Sequence, residues 1–146
     1  MPRSIEFPAS PLAERLGKVP ILASLSQRQL RALAKWVKVL AYAEGETVVK
    51  RGEGGIAMYL ILEGSAEVRR GSRRLATLGV GQFFGEMTLF DDQPRSADVV
   101  ALRPSKCAVL SRWEFWGFAL SQPTLLRGML EEMTSRLRET ERALSE

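Results

Sequence analysis

Six glycines, Gly45, Gly52, Gly64, Gly71, Gly81 and Gly85, punctuate the middle of the chain, and the runs between them are short and rich in Val, Ile, Leu, Tyr and Phe. Turn signals this closely spaced are the mark of an all-β sandwich or barrel, here over about residues 37–111. Glu67 to Leu75 reads as a hairpin, with Gly71-Ser72 suited to a type II′ turn. The longest apolar run, Ala57 to Leu62, has the length of a strand and falls far short of a membrane span.

Helical patterns flank this region. Residues 1–10 carry two prolines and little periodicity, which predicts a flexible N-terminal tail. Leu12 to Leu16 offers a short helical turn, and Ser26-Gln27-Arg28-Gln29 is a capping-box pattern that opens a helix over about 27–36. Arg112 to Leu120 reads as a helix whose Trp113, Trp116 and Phe118 could cover a barrel end. Pro123 suits the first turn of a last helix. In that helix Leu126, Leu130, Met133, Leu137, Thr140 and Leu144 recur at alternating steps of four and three, an a/d seam with one polar member. The domain therefore spans 11–146, with a helical lead-in at 11–36, a β-roll at 37–111 and closing helices at 112–144.

Composition narrows the chemistry. The 146 residues suffice for one solid core. Histidine is absent, which removes a Ser-His-Asp triad, a histidine base and a histidine-ligated metal site. No catalytic residue and no metal site is expected. The single Cys107 cannot form an internal disulfide, and its Ala-Val-Leu setting predicts a buried strand position. The N-terminus shows no apolar signal region, so a reducing cytoplasmic location is expected. A net charge of +4 permits an anionic partner without requiring one.

The most specific segment is Phe83-Phe84-Gly85-Glu86-Met87-Thr88-Leu89, followed by Gln93-Pro94-Arg95-Ser96-Ala97. It sets a glycine and a carboxylate at the start of a short helical turn, with a lone arginine soon after. Exposed backbone N–H groups and a guanidinium suit a phosphate, and a carboxylate suits a sugar hydroxyl. Together with Gly45-Glu46, Gly52-Glu53, Gly64-Ser65, Gly81 and the lead-in Lys18 to Ser26, this segment resembles the phosphate-binding cassette of the cyclic-nucleotide-binding domain family. The family includes catabolite activator protein, kinase regulatory subunits and nucleotide-gated channels, and the likeness runs from residue 12 to the C-terminus.

The resemblance implies a mainly β fold with flanking helices: a β-jelly-roll barrel of about eight strands (a double-stranded β-helix), N-terminal helices and a long C-terminal helix. It implies a cyclic nucleotide ligand. Gly85, Glu86, Met87 and Thr88 would form the turn, with Thr88 and Ala97 as backbone donors. Arg95 and Ser96 would hold the phosphate, and Glu86 would accept the ribose 2′-hydroxyl. Val68, Leu75 and Leu78 would surround the purine, unless they are ordinary core residues. Thr140 aligns with a threonine that contacts the adenine amino group, or else it only sets helix register. Serine rather than threonine at Ser96 leans the ligand towards cAMP over cGMP. Thr88 stands where the family usually has alanine or serine, and Asp91-Asp92 must point to solvent.

Several alternatives stay open at this level. The last helix could pair two copies in a homodimer or fold back as a lid, with Leu89 and Phe90 shifting as ligand orders the cassette. The Arg69, Arg70, Arg73, Arg74 cluster is a solvated hairpin tip or a docking surface for an acidic partner or membrane. Arg136, Arg138 and Arg142 read as the wet face of the last helix. The winged helix, membrane helices or further domains of the relatives do not fit in 146 residues, so a stand-alone or excised module is expected, with no direct DNA binding, no transmembrane segment and a separate protein effector. The rivals are the same fold as a protein-interaction module without nucleotide, a cupin-like metalloenzyme and a DNA-binding regulator.

Overall fold

A computed structural model describes residues 2–54, 56–91 and 93–145. The described elements run β1 (Arg3–Ile5), α1 (Ala9–Leu16), a 3₁₀ turn (Pro20–Leu22), α2 (Gln27–Ala34), β2 (Lys38–Tyr42), β3 (Thr47–Val49), β4 (Ala57–Glu63) and β5 (Ala66–Arg70). They continue with β6 (Arg73–Leu78), β7 (Phe83–Phe84), a second 3₁₀ turn (Glu86–Leu89), β8 (Asp98–Ala101), β9 (Ser105–Ser111), α3 (Arg112–Leu120) and α4 (Pro123–Ser145).

The strands form two antiparallel sheets, β1-β2-β9-β4-β7 and β3-β8-β5-β6. This is the jelly-roll-like, mainly β architecture with flanking helices and a long last helix that the sequence implies. One part of the expectation is corrected: the sheets do not close into a hydrogen-bonded barrel. A continuous ladder between them would have to run through edge strands such as the two-residue β7 and the three-residue β3, which are too short to carry it.

Strand alternation sorts the apolar residues into two cores. From β4, Met58, Leu60 and Leu62 face a helical core with Leu16, Leu22, Leu33 and Phe115, while Ile61 faces the space between the sheets. There it meets Tyr42, Val49, Val99 and Cys107. Burial pushes the Cys107 thiol up to about 12. In the β5–β6 hairpin Gly71 has φ 64°, and no described non-glycine residue has positive φ, as a type II′ turn requires.

Two expectations about the ends need correction. The tail at residues 1–10 is not loose: Arg3–Ile5 pairs with β2, and α1 already starts at Ala9. The open edge of β2 offers unpaired backbone groups, and Ile5 and Phe7 gain apolar contact with the core. Trp113 does not cover the sheets; it is 74% exposed, and Phe115 and Phe118 fill that place.

The capping box forms as read, with Gln29 N–H donating to Ser26 Oγ (3.1 Å) and Ser26 N–H to Gln29 Oε1 (2.9 Å). The helix it opens ends at Ala34. The α4 helix begins at Pro123, and its buried residues are Leu125 and Met129. Leu130, Leu137 and Leu144 of the seam stay exposed. Among the described residues, no helix is long and apolar enough to cross a membrane.

Candidate functional site

The site is built around one backbone carbonyl, that of Ala57 at the start of β4. It accepts hydrogen bonds from Arg95 Nη2 (2.6 Å) and Thr88 Oγ1 (3.3 Å). Gly85 makes this convergence possible. Its φ is 81°, which disfavours any residue with a Cβ, and a Cβ there would sit 2.8 Å from the Ala57 oxygen and against Arg95 Nη1. The glycine thus turns the chain from β7 into the 3₁₀ turn and leaves room for the guanidinium.

The backbone of Arg95 is pinned from the other side. Its N–H donates to Glu53 O (2.9 Å), and its carbonyl accepts from Gly52 N–H (2.9 Å). The guanidinium lies 5.6 Å from the centroid of the Tyr59 ring, which stacks on Phe84 at 4.9 Å. Burial pushes the Arg95 pKa below its ordinary value, opposed by the attraction of Tyr59. Only one of its five N–H donors is given to Ala57, so the fork keeps donors for an anion.

Gly85, Glu86, Met87, Thr88, Arg95, Ser96, Ala97 and Val68 all line one cleft of about 550 Å³, a volume suited to a small ligand. Val49 and Val99 complete its apolar wall. Leu75 and Leu78 do not line it. Leu75 is 42% exposed on β6, and Leu78 packs against the core between the sheets. A bulge between Val68 and Arg69 in the β5–β6 pairing leaves Leu75 without a cross-strand partner.

Thr88 differs from its expected role. Its N–H donates to Gly85 O (3.1 Å), and its hydroxyl also bonds that carbonyl. The amides without an intraturn acceptor are those of Glu86 and Met87, at the front of the turn. Asp91 is exposed at the cleft, its Oδ1 accepting from Gln93 N–H (3.2 Å). The expectation for Asp92 lies outside the described residues.

Thr140 faces a second cavity of about 430 Å³ between the 3₁₀ turn and α4. Glu86 and Met87 border both spaces. The Thr140 hydroxyl donates to Arg136 O (3.1 Å). Arg136 is not wholly a solvent-face residue: its Nη1 lies 3.9 Å from Glu86 Oε1 and its Nε 3.6 Å from Glu132 Oε1.

Sequence reasoning missed the grip of α3 on the turn. Arg112 Nε donates to Thr88 O (2.7 Å), Arg112 Nη2 to Asp91 O (2.5 Å) and Trp116 Nε1 to Leu89 O (2.6 Å). Phe90 sets its edge against Phe115 and Trp116. An indole needs a partner when half-buried, yet which carbonyl it finds is not written in local pattern. Among the described residues, no group of three or more His, Cys, Asp or Glu side chains could hold a metal ion.

Two antiparallel sheets flanked by helices, with a long last helix, form the fold of the cyclic nucleotide-binding domains. The family model described as cyclic nucleotide-binding domain matches residues 39–122, and the chain belongs to that family. It is 32% identical over 100 residues to a cAMP-dependent protein kinase regulatory subunit of Hypocrea atroviridis, an alignment covering 68% of this chain but 22% of the relative. The N-terminal domain of a transcriptional regulator from Streptomyces coelicolor A3(2) superposes with a TM-score of 0.85 at 28% identity, covering 89% of this chain and 94% of that one. A cyclic nucleotide-binding domain from Methylobacillus flagellatus KT gives 0.75 at 26% identity, covering 99% and 88%.

Proposed function

We propose that the cleft binds cyclic AMP, with cyclic GMP the weaker ligand, and that the chain is a regulatory module rather than an enzyme. The observation that carries the reading is the placement of Arg95 and Glu86 on the walls of one cleft, with Glu86 the first residue of the 3₁₀ turn. The Arg95 fork and the Ser96 hydroxyl take the phosphate, with the amides of Glu86, Met87 and Ala97. Glu86 accepts the ribose 2′-hydroxyl. Val68, with Val49 and Val99, covers the base.

Thr140 meets the adenine amino group when α4 draws in over the cleft, closing the cavity it now borders. Coupling follows if the ligand binds this closed arrangement more tightly than the open one. Leu89 and Phe90, at the end of the turn, carry the movement to α3 and on to a protein effector. Leu130, Leu137 and Leu144 lie exposed along α4, which supports pairing of two copies through that helix. A cytoplasmic setting fits a ligand of this kind.

The test is to titrate cyclic AMP and cyclic GMP into the purified chain by calorimetry, following its mass in solution. Binding of both, with cyclic AMP tighter, is expected. Absence of heat with either nucleotide would leave the protein-interaction reading of the same fold in its place.

A further inference from the structure

The β5–β6 hairpin carries four arginines in two directly opposed pairs, Arg69↔Arg74 and Arg70↔Arg73. Like charges facing across a ladder destabilise it. One pair is bridged internally: Glu67 Oε1 takes Arg69 Nε at 2.6 Å and Glu67 Oε2 takes Arg74 Nε at 3.0 Å, so a single carboxylate offsets part of the repulsion between two facing arginines. Arg70 and Arg73 repeat that cross-strand juxtaposition on the opposite face of the hairpin, since side chains alternate along β5. Among the described residues, neither has a carboxylate partner. Arg70 instead donates from Nε to Ser96 O (3.2 Å) on the β8 side of β5, a contact it would release to reach the β6 edge.

The backbone beside this pair is also unfilled. In the four-stranded sheet, β6 is a terminal strand paired only with β5. Residues 71–77 are exposed throughout, Leu75 included. An edge strand of this length offers a row of unpaired N–H and C=O groups.

We propose that the open edge of β6, headed by the Arg70–Arg73 pair, takes up an acidic extended segment of a partner protein by strand addition. Main-chain bonds to Arg73–Leu78 would hold the segment. The arginine pair would grip one of its carboxylates as Glu67 is gripped by the other pair, and Leu75 would receive an apolar side chain. A lipid headgroup or a nucleic-acid phosphate could use the arginines but not the strand edge, so the edge selects a peptide.

The inference does not rest on nucleotide binding, and its test contains no nucleotide. The isotope-labelled chain is titrated with a blocked peptide alternating Val and Glu, while amide resonances and hydrogen exchange are followed. Shifts and new protection confined to residues 73–78 are expected. The same peptide with alternate backbone N-methylation should not bind, nor should one with Gln in place of Glu. The double variant Arg70→Ala, Arg73→Ala, checked for an unchanged urea midpoint, should bind about tenfold more weakly, the scale of losing two charge-assisted contacts at an exposed site. Arg70→Lys with Arg73→Lys should recover only part of that loss. No shifts in β6, or equal binding of the N-methylated peptide, overturns the proposal and leaves the arginines as guards of an exposed edge. Binding to phosphatidylserine vesicles or duplex DNA without binding to the peptide overturns it as well.

Discussion

Replacing Arg95 with alanine separates its structural job from the binding job proposed for it. Its structural job is modest. The side chain donates to Ala57 O and rests against Tyr59. Ala57 O keeps the Thr88 hydroxyl as a second donor, so deleting the guanidinium does not orphan it. The lost hydrogen bond costs about 1 kcal/mol, and the cation–π contact adds about 0.5–1. Relief of the burial that pushes the Arg95 pKa down offsets part of this. A chain of this size should melt about 2–8 °C lower and keep its fold. Its binding job is larger: removing one partner of a buried charge pair costs about 2–5 kcal/mol, roughly 30-fold to several thousand-fold in affinity. Calorimetry at a temperature where both proteins are fully folded reads the difference. Arg95→Lys should not rescue binding, because an ammonium cannot reproduce the fork. Affinity within about threefold of the parent chain would refute the assignment of Arg95 to the phosphate.

Three further substitutions probe the rest of the site. Glu86→Gln should weaken binding of ribose nucleotides while leaving a 2′-deoxy analogue nearly unaffected; equal losses for both would remove the 2′-hydroxyl contact from the scheme. Arg136→Ala frees Glu86 from a partly exposed partner 3.9 Å away. Such pairs are worth about 0–1 kcal/mol, so affinity should rise by up to about fivefold, and a fall would mean that Arg136 assists the ligand. Thr140→Ala should narrow the preference for cyclic AMP over cyclic GMP. An unaltered ratio, measured by competition titration, would reduce Thr140 to a register-setting residue.

What could be read from sequence was what local chemistry decides. The Ser26–Gln29 box, the Gly71 turn and the Pro123 start depend on residues within a few positions of each other. The clustering of Gly85, Glu86, Arg95 and Ala97 came from a family spacing, and the fold does bring them to one cleft. What stayed hidden depends on distant partners. Ala57 O meets Arg95 from 38 positions away, and no pattern announces a backbone carbonyl as a hub. Leu75 is a base-pocket residue only by family position, and a position match does not register the bulge that leaves it unpaired on β6. Strand β1 was invisible because three residues near two prolines carry almost no signal until β2 offers its edge.

The bonds between α3 and the turn limit the routes by which the proposed movement at the cleft could travel. Three donors on α3, two from Arg112 and one from Trp116, hold the carbonyls of Thr88, Leu89 and Asp91. If the turn shifted alone, these contacts would break, at about 0.5–1.5 kcal/mol each and more for the charged donor. A ligand would have to supply several kcal/mol to move the turn against a stationary α3. Carrying α3 along keeps all three bonds. Only Ser121 and Gln122 separate α3 from α4, so such a displacement passes directly into the last helix. The joint is itself tethered, since Gln29 Nε2 donates to Gln122 Oε1 (3.0 Å). With that point held by the cap of α2, the proposed shift of α3 would turn α4 about its start rather than slide it. The far end, around Arg136 and Thr140, would then sweep furthest, and that is where α4 faces Glu86.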